Sequence, residues 1–252
     1  MSTYRLLDNS RFYILVSSVL LSLLAAAWLR VIIEADQLYF IRLQQIMGLA
    51  ALTYWYGALM ISPLTYVLGK DRMRHITFAR RAIGVSAAYF AILHLVISLW
   101  GQLGGPEELV RLPSLIQTSL AFGLVGIVVL IIMAATSFDV AVRFMTYKRW
   151  KLLHRTSYVA FILVVIHIWM IGTHLTYQTV QWVSLGALLL LAGLESYRML
   201  RKLDEKWHFI DGRGGAIIMV LVALAVWFFA IISIPVVFDN YHSKHHGGIH
   251  AK

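Results

Sequence analysis

Seven apolar stretches of spanning length, at about 12–33, 43–68, 79–101, 115–137, 152–173, 177–197 and 215–238, alternate with short polar segments along the chain. Hydrocarbon offers the backbone no partners, so a single run of roughly 20 apolar residues crosses it only as a helix. Each stretch is therefore predicted to be a transmembrane helix. The connections, about 15–20 residues at most, leave no room for a soluble domain. The expected fold is an all-α integral membrane protein. It divides into a six-span bundle over 1–200, a loop and seventh span over 201–238, and a histidine-rich tail over 239–252. No cleavable leader is expected, because the first run is long and Arg30 follows it where a small-residue cleavage site would stand.

Lys and Arg gather in alternate connections. Lys70, Arg72, Arg74, Arg80 and Arg81 lie in 70–81, and Arg143, Lys148, Arg149 and Lys151 in 138–151. Arg198, Arg201, Lys202, Lys206 and Arg213 lie in 198–213. The other connections hold Glu34 and Asp36, then Glu107, Glu108 and Arg111, then no charge. Basic loops stay on the cytoplasmic side. The N-terminus is thus expected inside and the C-terminus outside, across a bacterial plasma membrane with the tail in the periplasm.

Composition narrows the chemistry. Of the 252 residues, 60% are apolar and 13% charged, whereas a soluble domain is about half apolar and a quarter charged. The chain has no cysteine, which excludes disulfides, iron–sulfur clusters and thiolate zinc sites. The net charge of +10 resides in the loops. It reads as topology and contact with anionic membrane lipid, and no nucleic-acid partner is expected.

Three histidines interrupt one span. RWKLLHRTSYVAFILVVIHIWMIGTH, residues 149–174, contains His154, His167 and His174. An imidazole in hydrocarbon needs a partner, since an unpaired polar group there costs a few kcal/mol. A hydrogen bond to a neighbouring helix would suffice for any one of them. The position of His94 in span 3 adds a second possibility. Spans 3 and 5 run in the same direction, with His94 13 residues beyond Arg81 and His167 16 beyond Lys151. At about 1.5 Å per residue the two imidazoles reach similar depths near the membrane centre. Two neutral imidazoles facing each other across a bundle are what a six-coordinate b-type haem requires.

His154, 13 residues before His167, lies roughly 20 Å lower, a spacing that suits a second haem near the cytoplasmic side. Thirteen residues turn an ideal helix by about 220°, so either the helix is irregular or the two histidines address the bundle differently. His174 shares a face with His167 and is expected to be an interfacial residue or a cofactor neighbour rather than a ligand. His75 and His208 fall in basic loops as solvated residues. Arg80 and Arg81 open span 3 near the depth of His154. Snorkelling cations account for them, and their guanidiniums could also pair with haem propionates or a flavin phosphate. Tyr and Trp at span ends are those of interface belts.

Four stretches carry a resemblance: LQQIMGLAAL, LMISPLTYVLG, RRAIGVSAAYFAILHL, and AATSFDVAVRFMTYKRWKLLHRTSYVAFILVVIHIWM. In their order, spacing and histidines, over roughly residues 40–200, they resemble the ferric reductase-like transmembrane family. Within it they are most similar to the haem-binding membrane subunits of bacterial methionine sulfoxide reductase systems. The resemblance implies that His94, His154 and His167 fill the family's functional histidine positions. It also implies b-type haem and one-electron transfer from a cytoplasmic reductant to an outer acceptor. In the related NADPH oxidases span 3 supplies two histidines. The inner one would fall at Arg80 or Arg81, so the inner haem lacks its usual second ligand here. Members of this branch are also associated with flavin mononucleotide, for which no sequence feature marks a site, and with a periplasmic molybdenum enzyme.

Two features depart from that pattern. The chain adds the span AIIMVLVALAVWFFAIISIPVVF and ends FDNYHSKHHGGIHAK, where His242, His245, His246 and His250 could bind a transition metal or remain a solvated tail. No nucleotide-binding G-x-G-x-x-G is present: GRGG at 212–215 runs straight into a span. A cytoplasmic flavin reductase or a membrane quinol would have to supply electrons, and an extracytoplasmic redox protein or cytochrome would accept them. The leading expectation is an electron-transfer subunit of an oxidoreductase. Alternatives are a quinol-oxidising cytochrome b subunit of a larger respiratory or photosynthetic complex, which the extra span favours, and a haem-free scaffold.

Overall fold

The computed structural model describes residues 2–172, 175, 177–207, 220, 221 and 224. His174, His208, the tail histidines His242, His245, His246 and His250, and nearly all of the predicted seventh span lie outside them. The described helices are α1 (Ser2–Ile32), α2 (Asp36–Leu68), α3 (Arg74–Val96), α4 (Ser114–Ala135), α5 (Asp139–Met145), α6 (Tyr147–Ile171) and α7 (Gln178–Trp207). A π-helical turn, Ile97–Gln102, prolongs α3, and a 3₁₀ turn, Pro106–Arg111, precedes α4. Among the described residues six helices are long and apolar enough to cross a membrane: Ser10–Ile32, Asp36–Leu68, Arg74–Gln102, Ser114–Ala135, Tyr147–Ile171 and Gln178–Lys202. The chain is an all-α, multi-pass membrane protein.

Helix α2 starts at Asp36, ahead of the predicted 43, and α3 and α6 start at Arg74 and Tyr147, ahead of 79 and 152. Charge does not end these helices. Asp36 complements the positive N-terminus of α2, and Lys and Arg reach the interface along their aliphatic stems. The short helix α5 was not expected, because seven residues are too few to show a period.

The described residues form two compact units. The first comprises residues up to Thr65 together with Gly69–Ile168, and the second Tyr66–Leu68 with those from Trp169 on. In the first, α3 packs against α1 and α4. Its buried positions are mostly small, Ala79, Ala82, Ser86, Ala87, Ala88 and Ala91, and α4 buries Ser119, Gly123 and Gly126. Lipid provides no hydrophobic drive between helices, so association depends on the close approach that small residues allow. Hydroxyl pairs tie the helices: Ser18 Oγ to Ser86 Oγ at 2.8 Å and Ser22 Oγ to the Tyr89 hydroxyl at 2.7 Å. Each such bond contributes about 0.6 kcal/mol. Leu20, Leu23, Leu24 and Trp28 on α1 are exposed, as a lipid-facing row should be.

Pro63 lies inside α2 and leaves the Leu59 carbonyl without its usual donor. Arg80 serves the adjoining turn, with Nε donating to the Ala58 carbonyl at 3.0 Å and Nη1 to Ser62 Oγ at 2.7 Å. In the second unit, α7 carries a Glu195–Arg198 ion pair at 2.5 Å, and Tyr66 meets Tyr197 edge-on at 6.2 Å between centroids.

Candidate functional site

Two imidazoles are seated alike. His94 Nδ1 lies 2.8 Å from the Gln44 carbonyl oxygen of α2, and His167 Nδ1 lies 2.8 Å from the Ser119 carbonyl oxygen of α4. A carbonyl only accepts, so Nδ1 carries the proton in both rings and Nε2 keeps its lone pair. Four residues beyond each carbonyl stands a glycine. A Cβ on Gly48 would lie 2.9 Å from His94 Nδ1, and one on Gly123 would lie 3.0 Å from His167 Nδ1. The Nδ1 edge of each ring thus lies against helix backbone, at a distance that any larger residue would increase.

The seats differ in one detail. Ser119 Oγ is also 3.2 Å from His167 Nδ1 and donates to the His167 carbonyl at 3.1 Å. The Gln44 side chain instead accepts from Ser98, in the π-helical turn, at 3.5 Å. Among the described residues every hydrogen bond to the two rings falls on Nδ1. The rings are half-buried.

His154 has different surroundings. α6 is one continuous helix through both of its described histidines, so the phase between them does not come from an irregularity. Both rings turn to α4, by opposite nitrogens. His154 Nε2 lies 3.4 Å from Thr136 Oγ1, whose own proton goes to the Ile132 carbonyl at 2.8 Å. His154 is therefore the donor there, and the nitrogen left open in His167 is the one engaged in His154. Trp150 covers the ring at 4.1 Å between centroids and donates Nε1–H to the Thr136 carbonyl at 2.9 Å.

Basic side chains complete this end. Arg80 and Arg81 both lie within electrostatic reach of His154. Arg81 lies 5.6 Å over the Trp150 ring and pairs with Asp139 at the start of α5. The guanidinium holds the Asp139 carboxyl below the usual carboxylate range. His75 stands exposed in the first turn of α3. Among the described residues no three His, Asp or Glu side chains converge to hold a bare metal ion.

The sequence reading missed Gln44, Gly48, Ser119, Gly123, Thr136 and Trp150. The available signal for the glycines was a mid-span glycine at the depth of an imidazole.

Beyond geometry, the family model described as ferric reductase like transmembrane component matches residues 12–165. Among curated proteins, the chain is 33% identical over 167 residues to the protein-methionine-sulfoxide reductase haem-binding subunit MsrQ of Cronobacter sakazakii, covering 64% of this chain and 77% of that protein. To the same-named subunit of Deinococcus radiodurans it is 37% identical over 93 residues, 36% of this chain and 44% of the relative. To that of Azospira oryzae it is 28% identical over 126 residues, 50% of this chain. The chain spans about half the length of the Azospira oryzae and Polaromonas naphthalenivorans relatives, 53% and 44%. No solved structure matches it.

Proposed function

The chain belongs to the ferric reductase-like transmembrane family, and from that premise we propose that it is a membrane electron-transfer subunit with one b-type haem held by His94 and His167. The observation that carries this reading is the matched pair of seats: both Nδ1 atoms fixed on backbone carbonyls, both Nε2 lone pairs uncommitted. A hydrogen bond from the far nitrogen selects the tautomer, orients the ring and raises the basicity of the ligating atom. Bound there, the haem supplies a one-electron couple at mid-membrane. The carbonyl bonds keep the rings from turning, the glycines let them come that close, and the apolar bundle excludes water from them.

His154 has no comparable seat. To ligate iron, its Nε2 would have to leave Thr136 and its ring would have to slide from Trp150. We assign it, with Arg80 and Arg81, to the basic entry, where positive charge favours propionates or a flavin phosphate. The basic loops support an inside N-terminus in a bacterial inner membrane. Electrons would then enter from a cytoplasmic flavin reductase or quinol and leave to an extracytoplasmic redox protein. The relatives' names make a methionine sulfoxide reductase the first acceptor to try.

Reduced-minus-oxidised spectra with haem quantification on wild type, His94→Ala, His167→Ala and His154→Ala test the assignment. Haem is expected to vanish in the first two variants and persist in the third. Full haem occupancy in both His94→Ala and His167→Ala would sink it.

A further inference from the structure

Trp55 is 3% exposed, and its indole Nε1–H is the one buried side-chain polar atom among the described residues with no hydrogen-bond partner. A donor buried without an acceptor is costly, and native interiors hold few. Such an atom within a built site calls for an acceptor that the polypeptide does not itself supply.

Two helices locate this N–H independently. On α2, Trp55 follows Gly48, the seat of His94, by seven residues, and so shares its face about 10 Å nearer the basic end. On α6, Phe161 precedes His167 by six residues, about 9 Å toward the same end. Trp55 and Phe161 meet edge-on, with centroids 5.6 Å apart. The indole therefore lies between the helix that seats one histidine and the helix that bears the other, one layer below the pair. One turn further along α2, Arg80 is bound to the Ala58 carbonyl. An acceptor in this layer has an N–H on one side and a fixed positive charge beyond it, which suits an anionic oxygen.

Building on the haem assignment above, we propose that Trp55 is a positioning residue whose indole N–H donates to a propionate carboxylate of that haem. It fixes which edge of the macrocycle faces the basic end, and it compensates negative charge close to the iron.

The test compares full-length wild type, Trp55→Phe and a chain with benzothienylalanine at position 55, which keeps the bicyclic shape and removes only the N–H. Each is loaded with haem b and with its dimethyl ester, in which neither propionate is charged. Without haem, the benzothienylalanine chain should melt no lower than wild type, since it keeps the shape and loses no partner, whereas Trp55→Phe leaves a cavity and should melt lower. With haem b, both should release haem to apomyoglobin about tenfold faster and show a lower midpoint potential. With the ester these differences should disappear. Unchanged release and potential in both variants would overturn the proposal, and so would a difference that persists undiminished with the ester, since the acceptor is then not a propionate. A wild type that takes up no haem fails earlier and overturns the haem assignment beneath it.

Discussion

His167 and His154 share a helix, a residue type and a neighbour, yet they are prepared for different work. His167 turns Nδ1 to α4 beside a glycine, and among the described residues its Nε2 takes no hydrogen bond. His154 turns Nε2 itself to α4 and lies beneath a tryptophan. The difference teaches that depth and residue type leave open which nitrogen of a histidine is available. What matters is which nitrogen the surrounding backbone engages first.

The comparison breaks most simply at the ligands. His94→Ala or His167→Ala should abolish haem binding, while His154→Ala should leave the haem-to-protein ratio of the wild type, as pyridine haemochrome assays would read directly. Equal losses in all three would erase the distinction between the two regions. Next come the seats. Gly48→Val and Gly123→Val should weaken haem affinity about 10–100-fold by pushing the imidazole from its carbonyl. Gly57→Ala, where an added Cβ meets nothing within 4 Å, should bind as wild type. Titration of apoprotein with haem measures all three.

Smaller again is Ser119→Ala. It retains the carbonyl acceptor but removes the hydroxyl bond to the His167 main chain, worth about 1 kcal/mol of stability. The expected result is a slightly lower melting temperature with normal haem content.

The weakest effect belongs to the basic end. The Asp139 carboxyl is depressed by Arg81, first through their hydrogen bond and then through charge. A depressed acid stabilises the fold above its unfolded-state value, near 3.9, and that contribution is lost as pH falls through the lower folded value. Asp139→Asn should therefore lower the melting temperature only slightly at neutral pH, because the carboxylate side chain is 65% exposed. The wild-type advantage should fade as pH falls below the usual carboxylate range.

Much of the frame could be read from hydropathy, because in lipid an apolar run has no option but a helix. Helix starts at Asp36, Arg74 and Tyr147 were hidden, since the reading cut at charged or polar residues that the interface tolerates. The depths of His94 and His167 could be counted from Arg81 and Lys151 at a fixed rise per residue. Their seats could not be counted. Gly48 and Gly123 matter through the face they present, and a glycine adds nothing to a periodic pattern. The phase of His154 suggested a different orientation from His167 without saying which nitrogen would be engaged. Trp55 was passed over as one of many aromatics, and only burial set its N–H apart.

The seating of the two histidines also bears on how the protein is made. Each imidazole is bound by the preceding spanning helix, His94 by α2 across 50 residues and His167 by α4 across 48. A chain entering the membrane in order can therefore complete the first half-site as a hairpin before α4 has been synthesised. The second half-site follows when α6 joins α4. Neither hairpin needs a cofactor to set its ring, and under the proposed assignment haem would enter last, between two finished halves. Apoprotein released early from the insertion machinery would then hold both histidines already aimed.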